Sequence, residues 1–500
     1  MEIYSFKPFL AILASLLGAS LIVAARKKPN LREGFSIGAG VVQLVIILSM
    51  VPAVLNGGTL HFTLSSFIPQ VSIAFRVDAL ALLFAATASF LWIVTVFYSI
   101  GYMRLHREEN QTRFYAAVAL TLTATMGIAF AANLFTLYLF YEALTFSTYP
   151  LVTHTGTKEA YAAGRRYIGY HLGTSIAFLL PAIIITYTLS GTFDFRPQGV
   201  FPVGANTTVL IVLYFMFLAG AAKAALVPFH AWLPAAMVAP VPVSSLLHAV
   251  AVVNAGVFLI FRVVFDVFGQ ELFHQLSLGI ATAVIASITI MLASFYALKL
   301  DNLKALLAYS TIGQLAYMIL GVSLPNQIGE TGGLIHIVNH SFSKITLFFA
   351  VGSILLASQK TEISQMSGIG RFLPWTMGAF TVGALSIIGI PPTAGFVTKY
   401  YLAIGSIQSG WLAVFFVLLV STLLSAAYYL RVIRTVFFGS PGENDNAASV
   451  EDEEQQHDVI HPMGEVSYFI VAPMILTAVI AIVLGLFPNL VLALVRQVFR

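Results

Sequence analysis

Apolar positions in this chain come in long unbroken runs. They show neither the alternation of a half-buried strand nor the three-and-four spacing of a surface helix. Fourteen such runs stand out, at about 8–25, 34–55, 78–102, 113–132, 134–153, 166–190, 207–229, 241–262, 277–298, 303–322, 332–357, 374–406, 411–433 and 467–491. Most have the length of a helix that crosses a bilayer core, roughly 20 residues, and exceed the ~10 of a barrel strand. Only helices and closed barrels satisfy their backbone in lipid, so the pattern predicts an all-α membrane bundle of about 14 transmembrane helices. Two runs carry internal breakers: Pro228 in span 7, and Pro391–Pro392 between Gly389 and Gly395 in span 12. Proline removes a backbone donor and clashes with the preceding turn, so both spans should be broken. Each break has a lysine beside it, Lys223 and Lys399. These matched devices suggest two internal repeats, 113–262 and 277–433, between N-terminal helices (1–112) and an acidic loop with a last helix (434–466 and 467–500).

Composition agrees. Hydrophobic residues make up 59% of the 500 and charged residues 9%, against roughly 25% charge in soluble domains. There are no cysteines, which excludes disulfides and thiolate-held iron–sulfur clusters in this chain. The run from Pro8 is too long for a cleavable signal and is followed at once by RKKP, so it reads as a first span. Of the 25 Lys and Arg residues, 16 fall in loops on one side, six on the other and three inside spans. The positive-inside rule then places both termini outside. The inside loop 440–462 (SPGENDNAASVEDEEQQHDVIHP) reads as a solvated linker, or alternatively as a docking site for a soluble partner.

Charges inside the runs change the picture most. Glu142 is the single charged residue between Ala116 and Val152, and Lys223, Lys344 and Lys399 are the lysines that fall well inside spans. A charge at mid-helix costs about 2.5–3.5 kcal/mol on insertion scales, so such residues face the bundle interior and mark ion or proton paths. A Glu142–Lys223 pair that can separate is a proton switch; a pair that cannot is a buried salt bridge fixing helix register. In span 11, His336, His340 and Lys344 lie at i, i+4 and i+8, a row about 12 Å long at 1.5 Å per residue. That row fits a proton wire. A metal site is the competitor, since His at i, i+4 is a ligand spacing, but no third ligand is evident. Hydrogen bonding between helices is the bland alternative. His248 and Ser244 in span 8, with His230, Asn254, Ser310 and Thr311, are candidates to line the path. No nucleophile–base set or acidic metal motif appears in the loops, so no catalytic residue, cofactor or metal is expected.

Five ordered stretches resemble the antiporter-like subunits of Mrp-type cation/proton antiporters, the membrane arm of respiratory complex I and membrane-bound hydrogenases. They are FRVDALALLF (75–84), KAALVPFHAWLPAAMVAPVPVSSLLH (223–248), LKALLAYSTIGQLAYMILG (303–321), HIVNHSFSKITLFF (336–349) and GIPPTAGFVTKYYL (389–402). YEALTFSTYPLVTH (141–154) is most similar to the D-type Mrp subunit. The resemblance implies two inverted five-helix repeats with broken helices 7 and 12. It implies a pathway through Glu142, Lys223, His248, His336, His340, Lys344 and Lys399, and a Glu142–Lys223 pair that gates transfer. It also implies homologous and small membrane subunits as partners, with protons and Na+ as the ions, and no nucleic acid. The same resemblance leaves a redox-driven, proton-pumping parent complex as the alternative. One departure stands out: many relatives carry a lysine in helix 8 where this chain has Asn254.

Overall fold

The computed structural model describes residues 2–68, 71–439 and 464–499. The acidic loop expected at 440–462 lies outside the described residues. The described chain is a helical bundle with one small sheet. Its elements run β1 (Glu2–Tyr4), α1 (Lys7–Ala24), α2 (Pro29–Leu48), α3 (Val51–Leu55), β2 (Thr59–Ile68), β3 (Val71–Val77), α4 (Ala79–Leu105), α5 (Gln111–Ala129) and α6 (Leu134–Val152). Then come α7 (Lys158–Thr174), a π-helical turn (Ser175–Leu179), α8 (Leu180–Ser190), α9 (Thr207–Gly220), α10 (Trp232–Ala235) and α11 (Val241–Ser245). A second π turn (Leu246–Val250) leads into α12 (Val252–Arg262), and a third (Val263–Phe268) into α13 (Gln270–Gln275). The chain continues with α14 (Leu278–Lys299), α15 (Leu303–Ser323), α16 (Gln327–Ser358), α17 (Pro374–Ile388), α18 (Ala394–Gln408) and α19 (Leu412–Phe438), and then helix Tyr468–Leu486.

Ten of the described helices are long and apolar enough to cross a membrane by length and composition. The runs expected at 113–132 and 134–153 are helices of 19 residues each, α5 and α6. The two broken spans appear as separate pieces, as the prolines require. Helix starts follow the capping rule that a short polar side chain accepts an orphan amide. Asp78, Asn133, Thr157, Asn206, Asn302 and Asn326 cap α4, α6, α7, α9, α15 and α16 in this way. Val241–Phe268 is buried all round, which puts its helix at the centre of the bundle. The helix α1, by contrast, exposes an apolar face of Leu10, Leu17 and Leu21.

Two expectations need correction. An all-α chain was expected, yet β1, β2 and β3 form a three-stranded sheet, with β2 in the middle, parallel to β1 and antiparallel to β3. Residues 59–77 are too polar for a span but rich in Thr, Val, Ile and Phe, the composition of a strand. The sheet seats the bundle's first half, because Arg76 N donates to Phe130 O (2.7 Å) and Ala132 N to Ala74 O (3.0 Å) at the α5–α6 junction. Helix α7 also begins at Lys158, well before the expected 166. Its first turns read KEAYAAGRRY, polar enough to hide from a hydropathy window yet good helix formers.

Outside the spans, the ends of α4 and α6 meet at a small titratable cluster. His106 Nδ1 lies 3.2 Å from Glu108 Oε1, and buried His154 Nε2 lies 3.8 Å from Glu108 Oε2. The bond from Glu108 raises His106 above the ordinary imidazole value of 6.5. The same bond lowers Glu108, while burial lowers His154. A raised histidine contributes fully below its ordinary value and loses the contribution as pH rises through the raised one. A lowered carboxylate contributes fully above its ordinary value and loses it as pH falls through the lowered one. The link therefore acts between the carboxyl and imidazole ranges. His106→Ala is expected to lower the melting temperature near pH 6 and to leave it unchanged near pH 9. Equal losses at both values would reject the link.

Candidate functional site

The first break is built by the chain's own spacing. Helix α9 stops at Gly220, and Lys223 lies in a single 3₁₀ turn, Ala222–Ala224, before Ala225 turns left-handed at φ 53°. Lys223 thus stands at the break itself, not partway along a continuous helix. A left-handed residue after a last turn ends a helix, and here it leaves the lysine beside free backbone groups. Trp232 Nε1 satisfies one of them, donating to Ala222 O at 3.0 Å. Gly256 on α12 allows the approach from the other side. A Cβ there would sit 2.2 Å from Ala224 N and 2.5 Å from the Lys223 carbonyl carbon.

Lys223 is fully buried. Its Nζ donates to Thr145 Oγ1 at 2.7 Å and lies 3.4 Å from the centre of the Tyr141 ring. Tyr141 and Thr145 are one residue before and three after Glu142, so all three belong to one side of α6. Glu142 itself is only partly buried. One carboxylate oxygen accepts from Ser175 Oγ and the other is buried without a partner among the described residues. The direct Glu142–Lys223 pairing expected from sequence is therefore not a contact in this structure. Helix α6 presents a hydroxyl and a ring face to the ammonium and turns its carboxylate toward the π turn at Ser175. A π turn adds one residue and rotates the helix beyond it; here it starts at the residue that bonds Glu142.

The centre of the bundle holds His248, on the second π turn. Both ring nitrogens are buried and unpaired among the described residues, as is the Ser244 hydroxyl one turn earlier. Asn254 donates to Ala249 O (3.0 Å), a carbonyl of the π turn, and to Ser341 Oγ on α16 (3.0 Å). It therefore bridges the two central helices rather than presenting a charge.

The row on α16 splits into three environments. His336 uses both nitrogens, toward Thr398 Oγ1 (3.1 Å) and Gln314 Oε1 (3.0 Å). His340, its ring 5.8 Å away, has both nitrogens buried and unpaired. Lys344 donates to Leu307 O (3.2 Å) and Tyr429 Oη (3.3 Å). His336 thus bridges helices, and its two bonds leave no free nitrogen for a metal shared with His340. Among the described residues no group of three or more His, Asp or Glu could hold a metal ion.

The second break mirrors the first. Helix α17 ends at Ile388 with Gly389 at φ 88°, and α18 starts at Ala394. Lys399 reaches back to Ile388 O (2.8 Å), bonds Thr422 Oγ1 (2.9 Å) and lies 5.4 Å from the Tyr317 ring centre. Of the lining candidates, Ser310 bonds Tyr429 (2.9 Å) and Tyr428 (3.2 Å), in contact with the Lys344 environment. Thr311 turns its hydroxyl onto Leu307 O of its own helix (2.9 Å), and His230 sits half-buried beyond the first break, away from the row. Sequence reading missed Tyr141, Thr145, Ser175, Thr398, Thr422 and Tyr429. Tyr141 and Thr145 were available from helical spacing around Glu142. Tyr429 and Thr422 sit in a span whose charges, Arg431 and Arg434, lie only at its end, so mid-depth charge offers no signal there.

Fold and site together define a polytopic membrane bundle with two broken helices and a buried line of titratable side chains. Residues 131–425 match the family model described as "NADH:quinone oxidoreductase/Mrp antiporter, TM", and residues 63–115 match "NADH-Ubiquinone oxidoreductase (complex I), chain 5 N-terminus". The chain is 29% identical over 438 residues to NADH-quinone oxidoreductase subunit N of Desulforudis audaxviator, covering 86% of each. Other curated relatives are longer, and the chain spans 43% to 63% of their length. Among solved structures, it superposes on a chain of the Mrp complex from Dietzia sp. DQ12-45-1b with TM-score 0.87 at 24% identity, covering 99% of this chain and 97% of that one. For a chain of the archaeal membrane-bound sulfane sulfur reductase the values are 0.85, 25%, 99% and 97%. The chain belongs to the NADH:quinone oxidoreductase/Mrp antiporter transmembrane family. It is an antiporter-like, multi-pass membrane subunit.

Proposed function

We propose that this chain translocates protons as a D-type subunit of an Mrp-type monovalent cation (Na+)/H+ antiporter, through Glu142, Lys223, His248, His336, His340, Lys344 and Lys399. The observation that carries the reading is the unpaired state of the central groups. His248 and His340 are fully buried with no partner among the described residues, a cost that a structural histidine avoids by bonding and that a water-linked relay explains. Lys223, Lys344 and Lys399 hold hydroxyls and carbonyls instead of carboxylates. A lysine without an ion pair can give up its proton at less cost than one locked in a bridge. In this mechanism Glu142 and Lys223 come together and separate across Tyr141 and Thr145. Their approach shifts the proton held at Lys223. The change passes to His248, then His340 and Lys344, and leaves by Lys399.

The inverted-repeat reading has its own support. Asn133 and Asn302 both cap a helix, α6 or α15, and both form an isolated antiparallel bridge, to Asp194 and Glu362 respectively. Leu134 N donates to Phe193 O (2.9 Å) and Leu303 N to Thr361 O (3.1 Å). Each helix also places a tyrosine near a break lysine. Four spans lie between α6 and α15, so they run in opposite directions.

A redox-driven proton pump is the second reading, favoured by the likeness to NADH-quinone oxidoreductase subunit N. Purification of the tagged chain with its partners, with mass spectrometry and metal analysis, decides between them. Small membrane subunits without iron or nickel are expected. Iron–sulfur or nickel-bearing soluble subunits would replace the antiporter with the pump.

A further inference from the structure

Lys304 is left without a task by the pathway above. Positive-inside counting treats it as a loop residue, but it is the second residue of α15, where a helix N-terminus disfavours a cation. It is only partly exposed and makes no ion pair among the described residues. Its Nζ bends back to Ala239 O at 2.9 Å. Ala239 immediately precedes Pro240 and α11, the short helix that leads to Ser244 and the π turn of His248. Along this segment Ser244 lies between Ala239 and His248, with its hydroxyl and both His248 ring nitrogens buried and unpaired among the described residues.

We infer that Lys304 is the inner port of the pathway, opening through a water-filled passage at Ser244 to His248. This rests on the proton-moving reading above. The Lys304 ammonium gives its proton, through water at the Ser244 hydroxyl, to a nitrogen of His248. Neutral Lys304 then takes a proton from the inner solution, so charge and protons balance at each step. The competing role is a clamp, in which Lys304 only ties α15 to Ala239. A clamp accounts for the 2.9 Å bond but not for the unpaired Ser244 and His248 beyond it.

The chain has no cysteine, so single cysteines report access directly. Lys304→Cys, Ser244→Cys and the fully buried control Ala286→Cys are made in the intact complex. A membrane-impermeant thiosulfonate is applied to sealed vesicles of either orientation, and the mass of this chain is read. Labelling of Lys304→Cys and Ser244→Cys from the inner face alone, with Ala286→Cys unlabelled, is expected. An unlabelled Ser244→Cys, or equal labelling from the outer face, overturns the port. Proton flux separates relay from clamp. Arginine keeps a donor for Ala239 but does not release its proton, so Lys304→Arg should cut flux about 100-fold, as loss of a positioned proton donor does. Wild-type flux in Lys304→Arg would leave only the clamp. If the wild-type complex moves no protons, the functional reading fails whatever the labels show. If it does and Ser244→Cys stays dark, the port alone fails.

Discussion

Glu142→Gln is expected to abolish coupled transport while the complex still assembles with its full set of subunits. Glutamine keeps the length of the side chain and an oxygen to accept from Ser175 Oγ, so the packing of α6 against the π turn survives. What it loses is the charge. A carboxylate at mid-helix costs about 2.5–3.5 kcal/mol on insertion scales, so the neutral variant should melt no lower than wild type. Stability held or gained with activity lost marks a functional residue rather than a structural one. The second carboxylate oxygen points the same way, since it is buried without a partner. A purely structural carboxylate would be satisfied on both oxygens. Transport by reconstituted complexes is the measurement, with melting of the same samples alongside. Normal flux in the variant would refute the switch. Loss of flux together with loss of assembly would return Glu142 to the structural role.

The charges were legible because a lone ionisable side chain in an apolar run is improbable without a use. That single consideration finds Glu142, Lys223, Lys344 and Lys399. It does not say what each one touches. Opposite charges isolated in apolar spans suggested that Glu142 and Lys223 pair, yet Tyr141 and Thr145 take the lysine first. A helix face can be read from sequence, but the rotation between two helices cannot. The three π turns escaped for a related reason, since hydropathy does not change across one extra residue. Asn254 was read as a missing lysine; the structure gives it the carbonyl of a π turn and Ser341 to hold. The small sheet was missed because its residues fall between two spans and were treated as a connection. Lys304 and Arg262 share one cause of error. A basic residue at the end of an apolar run is normally a loop anchor, and only burial shows when it is not.

Arg262→Ala is expected to keep the folded complex from accumulating. Arg262 is 1% exposed. Its Nη1 and Nη2 hold Asp78 Oδ2 and Oδ1 at 2.7 and 2.9 Å, and Nη1 also holds Asp266 Oδ2 at 2.7 Å. Arg76 closes the set, 2.9 Å from Asp78 and 3.1 Å from Asp266, and donates to Phe195 O at 2.8 Å. Two arginines and two aspartates thus neutralise each other where β3, α4, α12 and the loop after α8 meet. Asp78 does a second job, capping α4 through Ala81 N at 2.9 Å. Removing one partner of a buried ion cluster costs about 3–5 kcal/mol, because the remaining charges stay buried and uncompensated. That is comparable to much of a domain's net stability, about 5–15 kcal/mol. The arrangement also gives FRVDALALLF a physical reading: its arginine and aspartate are two corners of the cluster. Membrane abundance and melting of Arg262→Ala test this, with the double variant Arg262→Met and Asp78→Asn beside it. The double variant leaves Arg76 to balance Asp266, and asparagine can still cap α4, so it should recover part of the lost stability. A single variant as abundant and as stable as wild type would show that water already reaches the cluster and that its charges are not held in a dry site.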